Sequence, residues 1–502
     1  MGTVDETTRG RTRREVLTCA GLALVAFLVS VAVHRFVLQG FPNSADEYAY
    51  LWQARALASG HLTARTPEPR DAFAFFHLGD EDGIRYSRFP PGFPLLLVPG
   101  VWAGVPGLVN PLIAALALGG ICALGHRWVG HRAALGGSLL TLLSPFFLLN
   151  AGSYHSHPAA LLALVAATLA LDHAARSNAA TPLAAAGAAL GLAFCVRPYT
   201  AVLLGAPVVM WLLPATSDRN PASLAGALTG WTHRKTWARL AWILAGILPF
   251  ALLFGAVNQT ITGSFWIPAT RHLDPTEGVG FGIHGHTLGR GLRHTLFWCL
   301  EAVGYTFFMS PVLLFFARRR AGPRESLLWM LLVAPVVGYL FYWNPGGNRY
   351  GPRFYFEALL PFTLLTGVGL KEVLQRRAWR VPLVAAGMIG LSASGKMLLR
   401  HHEQVQARTT VFRMVQEQHL EDAVVILLSS SGDMHVLDLT RNPPDFEHAP
   451  VLFARGLGAR DTELAQRYPE RNFYYFRWRD GKGRLWPADL THPESPDPLP
   501  DQ

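Results

Sequence analysis

The sequence predicts an all-α polytopic membrane protein with a small α/β domain at its C-terminal end. Three observations predict it. Half of the 502 residues are hydrophobic and only 16% are charged. The apolar residues recur in blocks of about 17–22, the length at which a helix crosses a bilayer core. The basic residues crowd into short loops between alternate blocks, so the net charge of +10 reads as membrane topology and not as a nucleic-acid surface.

The first block, 16–38, follows Arg9, Arg11, Arg13 and Arg14. These place residues 1–15 in the cytoplasm. The block is too long for a signal peptide and lacks a small-residue cleavage site, so it reads as a signal anchor. Further spans are expected at 107–125, 133–150, 158–175, 182–196, 199–214, 240–258, 296–317, 326–343, 357–370 and 381–398, eleven in all. An odd number puts the C-terminal region outside. The inward loops, among them HRWVGHR, ARRRAGPR and KEVLQRRAWR, are short and arginine-rich, whereas the first outward loop, 39–92, carries seven acids. Pro207 and Gly205 fall inside a span, which lipid-buried helices tolerate where neighbours satisfy the freed backbone. Cys19, Cys122, Cys195 and Cys299 lie in or beside apolar runs with no C-x-x-C spacing. They read as small core hydrophobes, with no disulfide framework and no zinc site.

After residue 398 the apolar density falls. DAVVILLSS and RNFYYFRWR read as strands and ARDTELAQRYP as a helix between them. The expected organisation is a membrane domain over 16–398, an extracytoplasmic α/β domain over 399–490 and a disordered acidic-proline tail over 491–502.

The stretch most informative about function is SADEYAYLWQARALA, just beyond the first span. Tyr50, Leu51, Ala54, Leu57 and Ala58 fall on one helical face, which predicts an interfacial helix with that face in lipid. Ser44 and Glu47 fit a capping box, so Glu47 has a structural reading as well as a catalytic one. Asp46 is not needed by the box. In the first turn the helix dipole keeps it ionised, which suits a base or a ligand.

An acidic pair after the first span, followed by an interfacial helix, resembles the GT-C superfamily of membrane glycosyltransferases, in particular the protein O-mannosyltransferase and lipid A aminoarabinose transferase group. YSRFPPGFPLLLVPG at 86–100, SYHSHP at 153–158 and GPRFYFEALLP at 351–361 are similar to segments of its bacterial branch. The resemblance covers 16–398 and fades beyond. It implies a sugar donor on a polyprenyl phosphate, an acceptor glycan, lipid or protein entering from water, and a single inverting displacement. It implies Asp46 as the base, with Glu47 beside it, in a bacterial inner membrane. Divalent metal is used by some relatives and not by others, and the sequence contains no complete ligand set.

A lipid-phosphate leaving group calls for fixed cations, and arginine matches its oxygens best. The outward arginines near span ends are Arg88, Arg197, Arg349 and Arg353. Arg88 stands where the aminoarabinose transferases carry a basic phosphate contact. Arg349 and Arg353 could instead pair with Glu357, and Arg197 could snorkel to the interface. Tyr86, His155, His157, His284, His286 and Glu357 complete the candidate substrate-binding set. The two histidine pairs have weak spacing for a metal and are equally ordinary turn residues. Tyr48, Trp52, Trp266 and Trp343 could stack on sugar or belong to an interfacial aromatic belt. A transporter or lipid-carrier flippase is the rival reading. It calls for mid-span polar groups and broken helices, whereas the charges here sit at outward edges. A third reading is an assembly subunit whose C-terminal module binds partners.

Overall fold

The computed structural model describes residues 2–177, 179–215, 224–319, 322–344, 346, 349–428 and 436–496, with side chains from Arg13 onward. The end of the expected tail, 497–502, and part of the 344–357 loop lie outside the described residues.

The chain is mainly helical. In order, the helices are α1 Gly2–Ala32, α2 Ala45–Ala58, α3 Gly92–Trp102, α4 Val109–Trp128, α5 His131–Leu142, α6 Pro145–Gly152, α7 His157–Ser177, α8 Ala180–Val196 and α9 Pro198–Leu212. There follow α10 Leu224–Gly230, α11 Arg234–Thr262, α12 Ala269–Leu273, α13 Leu288–Tyr305, α14 Ser310–Ala317, α15 Pro323–Tyr339, α16 Leu359–Leu374, α17 Arg377–Glu417, α18 Val436–Leu439 and α19 Thr462–Arg467. Each expected span falls on one of these helices or on a bent pair. Five helices are long and apolar enough to cross a membrane, or seven if each bent pair is one span.

Two expected spans are not continuous. The 133–150 segment bends by 65° between α5 and α6, and the 296–317 segment bends by 101° between α13 and α14. The local sequence explains both. Ser144 caps the Phe147 N–H ahead of Pro145, and Pro311 opens α14. A proline near a helix start cannot accept continuation of the preceding helix.

The bundle packs closely where glycines face backbone. A Cβ on Gly137 of α5 would overlap the Thr363 carbonyl of α16, and one on Gly367 would overlap the Ala133 carbonyl. Small residues at such contacts let membrane helices approach. Leu244, Leu248 and Leu252 on α11 and Leu292, Leu296 and Leu300 on α13 are exposed at helical spacing. Such aliphatic stripes are stable facing lipid, not water.

One end of the bundle is covered. Strands β1 Ala64–Arg65, β2 Leu78–Glu81 and β3 Ile84–Ser87 form an antiparallel sheet in the order β1-β3-β2. The apolar face of α2 does not lie in lipid as expected. Tyr50, Leu51 and Ala54 are buried against Phe93 and Leu97 of α3, and Tyr48, Ala49 and Trp52 pack with Phe75 and Leu78. Helix α3 and the bundle cover one side of this helix, and the folded first loop covers the other.

The C-terminal strands are β4 Ala423–Leu427, β5 Val451–Arg455, β6 Asn472–Arg479 and β7 Lys482–Pro487. They pair in the order β5-β4-β6-β7, with β4 parallel to both neighbours. Every residue of β4 is buried, because both faces are covered. Val424 and Ile426 meet Ala72 and Phe73 of the first loop, while Val425 and Leu427 meet Val411 and Val415 of α17. The position chosen from sequence as a boundary, 399, falls within the unbroken 41-residue α17. Tyr468 donates to the Glu68 carbonyl, Thr440 to the Ala74 carbonyl and Arg441 to the Pro42 carbonyl, tying the sheet region to the first loop.

Candidate active site

The polar residues of the covered end gather where α2, the α6–α7 turn, the α8–α9 break and the 3-10 turn Arg353–Ala358 converge. Ser44 begins α2 by accepting the Glu47 N–H at 3.3 Å. The Glu47 carboxylate accepts from the Ser44 hydroxyl at 3.0 Å and from the Tyr154 N–H at 3.0 Å. Glu47 therefore fastens α2 to the α6–α7 turn. Arg441 stacks 4.3 Å from the Phe41 ring and holds Pro42, fixing the entry into α2.

Asp46 faces a different set of partners. Its Oδ2 lies 2.6 Å from Arg353 Nη2 and its Oδ1 lies 2.9 Å from His77 Nε2. Burial works to raise the Asp46 pKa, but the charges of Arg353 and then His77 outweigh it and hold the carboxyl well below the usual range. For Glu47 burial wins and its pKa rises, although Tyr154 and Ser44 oppose this. The two neighbouring acids are thus driven in opposite directions. His155 Nε2 accepts from Arg353 Nη1 at 3.1 Å. Burial first, then Arg353, pushes its pKa well down, so the ring is neutral near pH 7.

Beside this group lies Arg197, in the break between α8 and α9. Its Nη1 donates to Ser156 Oγ at 3.4 Å, and Ser156 also bonds the Tyr50 hydroxyl at 2.9 Å. Glu357 Oε1 lies 3.4 Å from Arg197 Nε and 3.2 Å from His157 Nδ1. The Arg197 guanidinium sits 5.4 Å over the Phe354 ring.

Arg88 belongs to an adjoining cluster. Its Nη2 lies 3.1 Å from Glu277 Oε2, and Glu277 Oε1 accepts from the Tyr342 hydroxyl at 2.7 Å. Tyr342 and Arg197 both pack on Phe354, which joins the two clusters. His284 stacks on Trp343 at 4.0 Å and bonds the Thr276 hydroxyl, while His286 Nε2 donates to the Leu340 carbonyl at 3.0 Å. Both flank the Arg88 cluster. Arg349 lies 3.9 Å from Asp438, which Arg408 also holds at 2.7 Å. Tyr86 is elsewhere, buried among Val257, Ile261 and Ala269. Of the candidate aromatics, Trp52 is buried within the loop packing and Trp266 is exposed.

The structure thus unites Asp46, Glu47, His155, His157, Arg197, Arg353 and Glu357, places Arg88, His284 and His286 alongside, and separates Tyr86. Each of the four arginines has a carboxylate partner. For Arg349 and Arg353 that partner is not Glu357, which pairs with Arg197 instead. His77, Ser156, Glu277, Asp438 and Arg408 were not singled out from sequence. His77 stands in an unremarked segment, FFHLGDEDG, and reaches Asp46 only through the hairpin that follows it. Arg85 pins that hairpin, with 2.7 Å bonds to both oxygens of Asp80. Among the described residues, three metal-ligating side chains do not gather around Asp46. They gather only at Cys19, Cys122 and His126.

No protein-family model matches the chain, and no curated protein matches it in sequence. Its likeness is to solved structures. ArnT from Cupriavidus metallidurans bound to undecaprenyl phosphate superposes with a TM-score of 0.54 at 14% identity, covering 95% of this chain and 99% of that one. The apo state of the same protein gives 0.53 at 15% identity, covering 96% and 99%. The fold is the one these ArnT structures have. It extends over nearly the whole chain, including the C-terminal sheet region where the sequence resemblance fades.

Proposed function

We propose that the chain is an integral membrane glycosyltransferase that moves a sugar from a polyprenyl-phosphate donor to an extracytoplasmic acceptor with inversion. In this reading eleven spans leave the N-terminus in the cytoplasm of a bacterium, and the covered end of the bundle faces outward from the inner membrane. The residues beyond the last span form an extracytoplasmic domain that shares the site's roof with the first loop.

The observation that carries the reading is the pairing of Asp46 with Arg353 beside Arg197. The Nε donor of Arg353 is buried and makes no hydrogen bond among the described residues, whereas Arg197 Nε has the Glu357 carboxylate at 3.4 Å. A buried unsatisfied donor costs about 1–3 kcal/mol, and a phosphate oxygen would satisfy it. The undecaprenyl phosphate bound to ArnT is a lipid carrier of the same chemical class, which supports this assignment.

The chemistry then follows. The attacking oxygen or nitrogen of the acceptor forms its bond to the anomeric carbon as the bond from that carbon to the phosphate oxygen breaks. The electron pair leaves with the phosphate, where Arg197 and Arg353 stabilise the growing charge. Asp46 accepts the hydrogen bond of the attacking group and serves as its base. Its depressed pKa favours holding the nucleophile over retaining the proton, which passes to the released lipid phosphate, a monoester with a second pKa of about 6.

The test uses detergent-solubilised membranes from a strain lacking the chain, which contain both donor and unmodified acceptor. Adding the purified chain should consume one lipid-linked sugar and glycosylate one acceptor. A flippase would do neither, because detergent leaves no two leaflets to cross, and a null result would discard the transferase reading.

A further inference from the structure

The four cysteines carry no spacing signal, yet two of them meet a histidine in space. Gly119 of α4 lets α1 come close: a Cβ there would lie 3.1 Å from the Ala23 Cβ and 3.5 Å from the Cys19 carbonyl. One turn further along, Cys19 Sγ lies 3.8 Å from His126 Nδ1 and Cys122 Sγ lies 3.5 Å from His126 Nε2. The three ligand atoms all lie within 4.8 Å of one another. The His131 ring, across the α4–α5 turn, has its centroid 4.7 Å from that of His126. Cys122 is buried, Cys19 and His126 are partly buried, and His131 is exposed.

The two sulfurs lie beside different nitrogens of the His126 ring, within reach of one ion once a single nitrogen serves both. Zn–S bonds of about 2.3 Å and Zn–N bonds of about 2.0 Å at tetrahedral angles put ligand atoms ~3.5–3.8 Å apart. Two thiolates also cancel the charge of a divalent ion, and imidazole adds none. A neutral site avoids the cost of placing net charge at the edge of a bilayer. A modest turn of the His126 ring commits one nitrogen to the ion and frees the other for a second partner, the usual arrangement for a ligating histidine.

We propose that Cys19, Cys122 and His126 bind a zinc ion, with His131 or water as the fourth ligand, and that the ion pins α1 to the α4–α5 turn. Binding releases the two thiol protons as the thiolates form their bonds to zinc. The site lies toward the far end of α4 from Asn110, which contacts the His155 carbonyl at the covered end. Sixteen residues of helix separate Asn110 from His126, about 24 Å at 1.5 Å per residue. The proposal is therefore independent of the transferase reading.

The test is elemental analysis of the full chain, purified in detergent without a histidine tag and passed over a weak chelator. About one zinc per chain is expected, falling at least tenfold in Cys122→Ser and in His126→Ala. Cobalt(II) added to the zinc-free chain should give a thiolate-to-cobalt charge-transfer band that Cys19→Ser weakens and Cys122→Ser abolishes. The wild-type spectrum stands even if a variant fails to fold. Zinc below one tenth of an equivalent, zinc unchanged by both substitutions, copper in its place, or recovery of Cys19 and Cys122 as a disulfide would each overturn the assignment.

Discussion

Replacing Arg353 with methionine should destabilise the protein, and replacing Asp46 with asparagine in the same chain should restore much of the loss. Arg353 and Asp46 meet at 2.6 Å with only 13% and 17% of their side chains exposed. Removing one member of a buried ion pair costs about 3–5 kcal/mol, because the other charge is left uncompensated. Asp46 would keep His77 at 2.9 Å, so the lower end, about 3 kcal/mol, is expected. Asparagine removes the stranded charge and keeps an acceptor for His77, so the double variant should recover at least half of the loss. The assay is the apparent unfolding midpoint of detergent-solubilised chains at one fixed heating rate, since large membrane proteins unfold irreversibly. Additive losses from Arg353→Met and Asp46→Asn would refute the reasoning, because independent sites add and coupled ones do not.

Further outcomes follow from the same geometry. The gap between wild type and Arg353→Met should depend on pH. The depressed Asp46 pKa gives stability that is present above the unfolded value of about 3.9 and is lost as pH falls through the folded value. Without Arg353 the largest charge that lowers that pKa is gone, so the gap should be widest near pH 7–8, narrow as pH falls toward 4 and close only below it, as midpoints across a pH series would report. Glu47→Gln should stay within about 1 kcal/mol of wild type and retain transfer, since Gln keeps an oxygen for the Tyr154 N–H; Glu47→Ala, which strands that donor, should cost about 1–3 kcal/mol in the same melts. Gly137→Ala should cost about 1–3 kcal/mol by forcing α5 away from the Thr363 carbonyl, read as a lower midpoint with zinc content unchanged.

The helices were legible because bilayer thickness imprints a length on the sequence: each expected span coincides with a helix or a bent pair, although only five to seven of these are long and apolar enough to cross a membrane. Their breaks were less so. Ser144–Pro145 and Ser310–Pro311 are visible as helix starts, but an apolar run on both sides masks the bend. The helical period of α2 was correct while its environment was not. Periodicity reports that a face is buried and does not say whether lipid or protein buries it, and Phe93 and Phe75 come from segments that sequence alone does not bring there. The acids and arginines were legible by type and position. Their pairings were not, because Asp46 with Arg353 and Arg197 with Glu357 are contacts set by tertiary structure. His77 escaped for the same reason, and so did the Cys19–Cys122–His126 grouping: Cys122 and His126 lie four apart on α4, but Cys19 stands 107 positions from His126.

The most direct test of the central claim compares cells carrying the wild-type chain with cells carrying Asp46→Asn at equal abundance. Lipid extracts and envelope glycans from both would be quantified by mass spectrometry. A transferase that depends on Asp46 predicts that one polyprenyl-phosphate sugar accumulates while one glycan, lipid or protein loses that sugar. If neither pool changes in the variant while a deletion strain shows a defect, Asp46 is only a partner for Arg353 and His77, and the proposed chemistry is wrong.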